Sequence, residues 1–202
     1  MFLYFALVQS RLTVDRNHMK TSWTSFSSFS ACLFAVVLVG FGCATPDYQV
    51  ATHVNPYTGL RTDVMADNML EVEEPVRELV WLNASRVFKD YMNYDYYLEV
   101  HYEATVERGF LEVTPGPSLK ITADGEELLF RTSGSQNSRT TKDDLVSEDA
   151  LYPTTRDAIV KIASADQVTV QIQGQNGLIQ RTFTPENSSK FQEFFTRYVM
   201  QR

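Results

Sequence analysis

The sequence predicts an α+β domain of mostly antiparallel β-sheet, a meander plus a C-terminal hairpin, with two helices packed to one side. Three features carry the prediction. Short runs with apolar and polar residues in alternation recur between Leu79 and Phe130. Two more such runs are separated by Asn176-Gly177, and the C-terminal segment places aromatic residues at helical spacing. Strands followed by a helix, a hairpin and a helix favour antiparallel pairing over the alternation that builds a parallel sheet.

Taken in order, Leu79-Val80-Trp81-Leu82 and Arg86-Val87-Phe88 flank Asn83-Ala84-Ser85, and Leu98 to Ala104 alternates as a half-buried strand should. Gly109-Phe110-Leu111-Glu112-Val113 reads as a third strand, ended by a turn at Pro115-Gly116-Pro117. Ser118 to Thr122 and Glu127 to Phe130 are joined through Asp124-Gly125, a strong hairpin signal. Thr132 to Asp144, polar and rich in Ser and Thr, predicts a mobile loop. Helical spacing is expected from near Ser147, with Ala150, Leu151, Ala158, Ile159, Ile162 and Ala163 as its apolar stripe. Pro153 marks a break or first turn in that stretch, and Thr154 or Thr155 caps its second part.

Gln167 to Gln173 and Leu178 to Phe183 alternate about Asn176-Gly177, which predicts a type I′ turn. Thr184-Pro185-Glu186 then supplies a capping hydroxyl, a first-turn proline and an acid at the positive end of the helix dipole. Phe191, Phe194, Phe195, Tyr198 and Val199 give that helix one wide apolar face.

The 202 residues are 44% hydrophobic and 21% charged, which belongs to globular chains and suits one domain. Three of 18 basic and one of 25 acidic residues precede Cys43, so the net charge of -7 becomes -9 from Cys43 onward. Lysines and arginines are scattered singly, and a nucleic-acid partner is set aside. Both cysteines, Cys32 and Cys43, lie in or beside the apolar N-terminal segment, which leaves the expected domain without disulfides or thiol chemistry.

From Thr21 to Pro46 no residue is charged, and Ala31 to Gly42 has the length of a signal h-region. It is short of the roughly 20 apolar residues of a membrane span. Met19-Lys20 supplies the preceding positive charge, so residues 1–18 are read as an upstream extension from a mis-assigned start and 19–42 as the signal. Gly40-Phe41-Gly42-Cys43-Ala44 resembles the lipobox of bacterial lipoproteins, in which a small residue precedes a cysteine that becomes diacylated. Gly40 and Phe41 depart from the usual residues, while Gly42 fits. The resemblance implies lipidation at Cys43, attachment to the membrane through that lipid and, with Ala44 following, an outer-membrane address facing the periplasm. Ordinary signal cleavage after Ala44 and an uncleaved anchor are the alternatives. Residues 43–67, with Pro46, Asn55-Pro56 and Thr58-Gly59, read as a polar tether on which His53 and Tyr57 face solvent. The α+β domain then occupies 68–202.

Glu99, His101 and Glu103 share one strand face, yet one strand holds them too nearly in a line to wrap a cation, so no metal is expected. Ser133-Gly134-Ser135 lacks the frame of a nucleophile elbow. Glu73-Glu74, Glu126-Glu127 and Asp143-Asp144 read as hydrated acids, and Gly174 to Gly177 as a turn with no phosphate-loop context. No catalytic residue and no cofactor are expected. Tyr91, Tyr94, Tyr96 and Tyr97 form the most unusual local composition, an interaction surface or else ordinary strand packing. The leading expectation is a tethered, non-enzymatic envelope lipoprotein that binds another envelope protein or supports assembly. The alternative is a periplasmic module that binds a lipid, glycan or small apolar molecule between sheet and helix. An enzyme is the third reading, and it requires His101 and distant acids to converge in a cleft.

Overall fold

The structure, a computed structural model, describes residues 50–200 except 57, 73–77 and 91–92, all within one compact unit, Ala44–Arg202. Cys43, the signal segment, Tyr91 and Glu73-Glu74 lie outside the described residues.

The fold is α+β and its sheets are antiparallel throughout. The strands are β1 Val50–Val54, β2 Arg61–Met65, β3 Glu78–Asp90, β4 Asn93–Thr105, β5 Gly116–Ala123, β6 Glu126–Thr132, β7 Arg139–Lys142 and β8 Leu145–Thr154. Helix α1 Arg156–Ser164, strands β9 Val168–Gly174 and β10 Gly177–Thr182, helix α2 Pro185–Phe194 and a π-helical turn Phe195–Val199 follow. One sheet runs β1-β2-β3-β4-β8-β7 and the other β10-β9-β5-β6. One of the two is curled into a half-barrel, and the helices pack against each other.

Alternation decides what each strand buries. Leu82, Ala84, Leu98, Val100, Tyr102 and Tyr152 from the larger sheet join Leu119, Ile121, Val170 and Ile172 from the smaller one in a single core. Ile159 and Ile162 of α1 with Phe191 and Phe194 of α2 complete it, each worth roughly 1.5–3 kcal/mol of transfer free energy. Burial pushes the Tyr102 and Tyr152 hydroxyls up to about 12. Each still has a partner, the Gly109 carbonyl for Tyr102 and the Ser118 hydroxyl for Tyr152.

Both helix starts follow the expected chemistry. Thr155 accepts from the Ala158 N–H, and Thr184 forms a capping box with Asn187 beneath Pro185. Asn187 also donates to Asn68 and to the Met69 carbonyl, which ties α2 to the segment ahead of β3.

Five local expectations are corrected. Asn83-Ala84-Ser85 does not interrupt anything: β3 is continuous for 13 residues because Ala84 keeps the inward phase. Gly109–Val113 is not a strand of either sheet. Its N–H groups at Glu112 and Val113 donate to the buried carboxylate of Glu148, and Val113 forms an isolated bridge to Gly174. The stretch from Ser147 is strand β8, since Val146, Glu148, Ala150 and Tyr152 point inward with period two while Leu151 is exposed. Pro153 is tolerated because β7 reaches only as far as Glu148, so the outer edge of β8 needs no N–H there. The 132–144 loop contains β7, closed on β8 by Asp143-Asp144 with both residues at positive φ. In the C-terminal hairpin the central pair is Gln175-Asn176, one residue before the Asn-Gly pair, because Gly174 and Gly177 already face each other in the ladder.

Within the stretch read from the sequence as a polar tether, residues 50–54 and 61–65 form strands of the larger sheet. Val50–Val54 and Arg61–Met65 pair with each other, and β2 adds to β3. The few apolar residues here hide the strand signal, and a charge cluster fixes the hairpin instead. Asp63 accepts from Thr52 at 2.8 Å, Arg61 at 2.9 Å and Arg86 at 2.8 Å. Burial alone raises the Asp63 carboxyl, but these hydrogen bonds outweigh it and hold the group below its ordinary value.

Candidate functional site

The side chains that β3, β4 and β8 turn away from the core form a patch whose register is fixed. His101 lies between Trp81 and Asp149, and Glu99 between Asn83 and Leu151. Two adjacent rows of three therefore share one face. The segment joining β6 to β7 walls this patch with Ser133, Gly134, Asn137 and Ser138, and the result is a cleft of about 490 Å³. Ser138 anchors the wall, its hydroxyl lying 2.5 Å from the Asp149 carbonyl and 3.1 Å from that of Ser135 with its one proton shared between them.

His101 Nδ1 sits 2.6 Å from Asp149 Oδ1, and the Trp81 ring packs against the imidazole at 5.1 Å between centroids. The hydrogen bond to Asp149 raises the imidazole above its ordinary value. Burial opposes that shift, while the charges of Asp149 and Glu103 add to it. Glu99 is also raised, first by burial and then by the Asp149 charge. A hydrogen bond from Ser85 and the nearby His53 pull it the other way. His53, expected on a tether, is thus an exposed residue of β1 that acts electrostatically on the cleft.

The tyrosines divide. Tyr94 and Tyr96 occupy one face of β4 and Tyr97 the other, as alternation requires. Tyr96 packs against the core, and Tyr94 lies against Phe88 and beneath the Arg86 guanidinium. Arg86 also donates to the Tyr198 carbonyl and sits over its ring, so this end of the sheet is bound to the C-terminal turn. A second groove of about 470 Å³ runs past Tyr94, Tyr96 and Tyr97 to Pro153 and Arg156.

Of the metal candidates, Glu99 and His101 line the cleft. Among the described residues no group of three or more His, Cys, Asp or Glu is placed to hold a metal ion. Ser133 and Gly134 belong to the wall, whereas Glu126 and Asp143 are engaged with surface lysines. Asp149, Asn83, Asn137 and Leu151 were not read as site residues from the sequence. Alternation through Val146, Ala150 and Tyr152 would turn Asp149 outward, but the charged Glu148 and the apolar Leu151 break that pattern in the sequence.

The fold and cleft define an α+β protein with a polar, carboxylate- and imidazole-bearing recess on the face of a sheet. Comparison with protein-family models, curated proteins and solved structures finds no match to this chain.

Proposed function

We propose that this is a glycan-binding module of the bacterial envelope, tethered through a lipid on Cys43. The observation that carries the binding reading is the convergence of Asn83, Glu99, His101, Asn137 and Asp149 in one cleft. Sugar hydroxyls both donate and accept, and the cleft offers partners of both kinds: amides, carboxylates, imidazole and the hydroxyls of Ser133 and Ser138. Leu151 and the neighbouring Trp81 ring supply apolar surface for the C–H faces of a sugar. The polar lining favours a glycan over a lipid or other apolar ligand. The space between sheet and helices also argues against an apolar ligand there, because Leu98, Tyr152, Ile159, Phe191 and Phe194 fill it.

A glycan array followed by calorimetry on the full chain tests this reading. Saturable binding of a neutral oligosaccharide is expected, weakened about tenfold in Asn137→Ala through the loss of a hydrogen bond to the sugar. Absence of any saturable glycan binding, or equal affinity in the variant, overturns it.

A further inference from the structure

The cleft holds the parts of a reaction as well as of a binding site. We propose that His101 and Asp149 form a general-base dyad that hydrolyses a short acyl ester carried on a glycan. The ester chemistry stands on the dyad itself, and only the nature of the scaffold rests on the glycan reading.

Asp149, accepting from Nδ1–H at 2.6 Å, selects the tautomer that leaves Nε2 as proton acceptor. The pairing is built into the ladder, since the two residues face each other across β4 and β8, and Trp81 flanks the ring from β3. A group held by rigid strands on two sides is already oriented for proton transfer.

The step balances without a cofactor. Nε2 takes a proton from water as the water oxygen bonds to the acyl carbon and the carbonyl electron pair moves onto oxygen. Collapse of that intermediate breaks the bond between acyl carbon and glycan oxygen, and the departing oxygen takes the proton back from Nε2. A carboxylic acid and a free hydroxyl result, and His101 is regenerated. The side-chain amides of Asn83 and Asn137 are donors of the kind that stabilise the developing oxyanion, and Ala150 with Leu151 gives the lining its apolar part, suited to a short acyl group. Glycosidic cleavage fits less well, because it needs a carboxylic acid and a carboxylate across the scissile bond and Asp149 is committed to His101.

The charged groups around His101 are Asp149 on β8 and Glu99 and Glu103 on its own strand, with His53 of β1 acting on Glu99. Asp149 and Glu103 favour the imidazolium and shift the appearance of the base form upward in pH. The rate is therefore expected to rise with pH and level off once that form predominates.

Initial rates of the full chain on p-nitrophenyl acetate and on an O-acetylated oligosaccharide, between about pH 5 and 9, test the proposal. Wild type exceeds the buffer rate, and His101→Gln lowers kcat/KM about 100-fold. Asp149→Asn lowers the rate and moves the midpoint of the pH profile down, a shift that a merely structural role does not produce. Hydrolysis by wild type no faster than buffer, or unchanged in His101→Gln, overturns it. The aryl ester carries no sugar, so its hydrolysis without glycan binding defeats the glycan reading and keeps the dyad. Glycan binding without hydrolysis of either ester does the reverse.

Discussion

Glu99 differs from Asp63, Glu78 and Glu148 in its company. Asp63 has Arg61 and Arg86, Glu78 has Arg108 and Arg181, and Glu148 has Arg139 with two backbone N–H groups. Glu99 has the Ser85 hydroxyl and the field of His53. Burial raises its folded-state pKa above the unfolded value, so its contribution to stability is fully present at low pH and is lost as pH rises through the folded value. Glu99→Gln is accordingly expected to raise the melting temperature at neutral pH and to leave it unchanged in acid. Scanning fluorimetry at the two pH values checks this, and a neutral-pH decrease means the charge is compensated. Residues that cost stability while facing a cleft are characteristic of sites kept for function. The shared face of Glu99, His101 and Glu103 was legible from alternation alone. Asp149 was not, because Ala150 and Leu151 suit a helical stripe as well as a strand, and only the pairing of β8 with β4 decides between them.

Among the elements, the segment from Gly109 to Pro115 shows how a non-local contact overrides a local pattern. Its apolar residues Leu111 and Val113 are buried as strand residues would be, yet it crosses the end of the β9–β10 hairpin and bonds to Glu148 in place of a neighbouring strand. The crossing is so close that a Cβ on Gly174 would lie 2.0 Å from the Leu111 carbonyl oxygen. Gly174→Ala therefore has to displace backbone, and a loss of about 1–3 kcal/mol in urea unfolding is expected. An unchanged midpoint would show that the segment moves freely. The Asp124-Gly125 turn and the helix caps were legible: both turn residues have positive φ, and Thr155 and Thr184 cap their helices. The turn at Asp143-Asp144 was not, since two adjacent acids give the same composition in a turn as on any hydrated surface. The edge hairpin β1–β2 was hidden for a related reason. Its identity lies in the ion pairs of Asp63, which no periodicity reports.

For the whole molecule, the order of strands, helix, hairpin and helix was enough to give the fold class, whereas the division into two sheets depended on β8 leaving the helical region to join β4. The proposed anchor is tested on protein taken from native membranes. Mass spectrometry is expected to find an acylated peptide beginning at Cys43, and Cys43→Ala is expected to release the chain. An unmodified N-terminus at Thr45 would instead mark a freely diffusing binding protein.

If the anchor holds, the place of β1 in the sheet sets a leash. A spacer ending at Asp67 could have carried the domain well clear of the bilayer, but pairing begins at Val50. Seven residue steps separate that strand from Cys43, and a fully extended chain covers at most about 25 Å in that distance. The tethered end of the domain then stays within that distance of the bilayer, and the glycans it meets are those of the envelope beside that membrane.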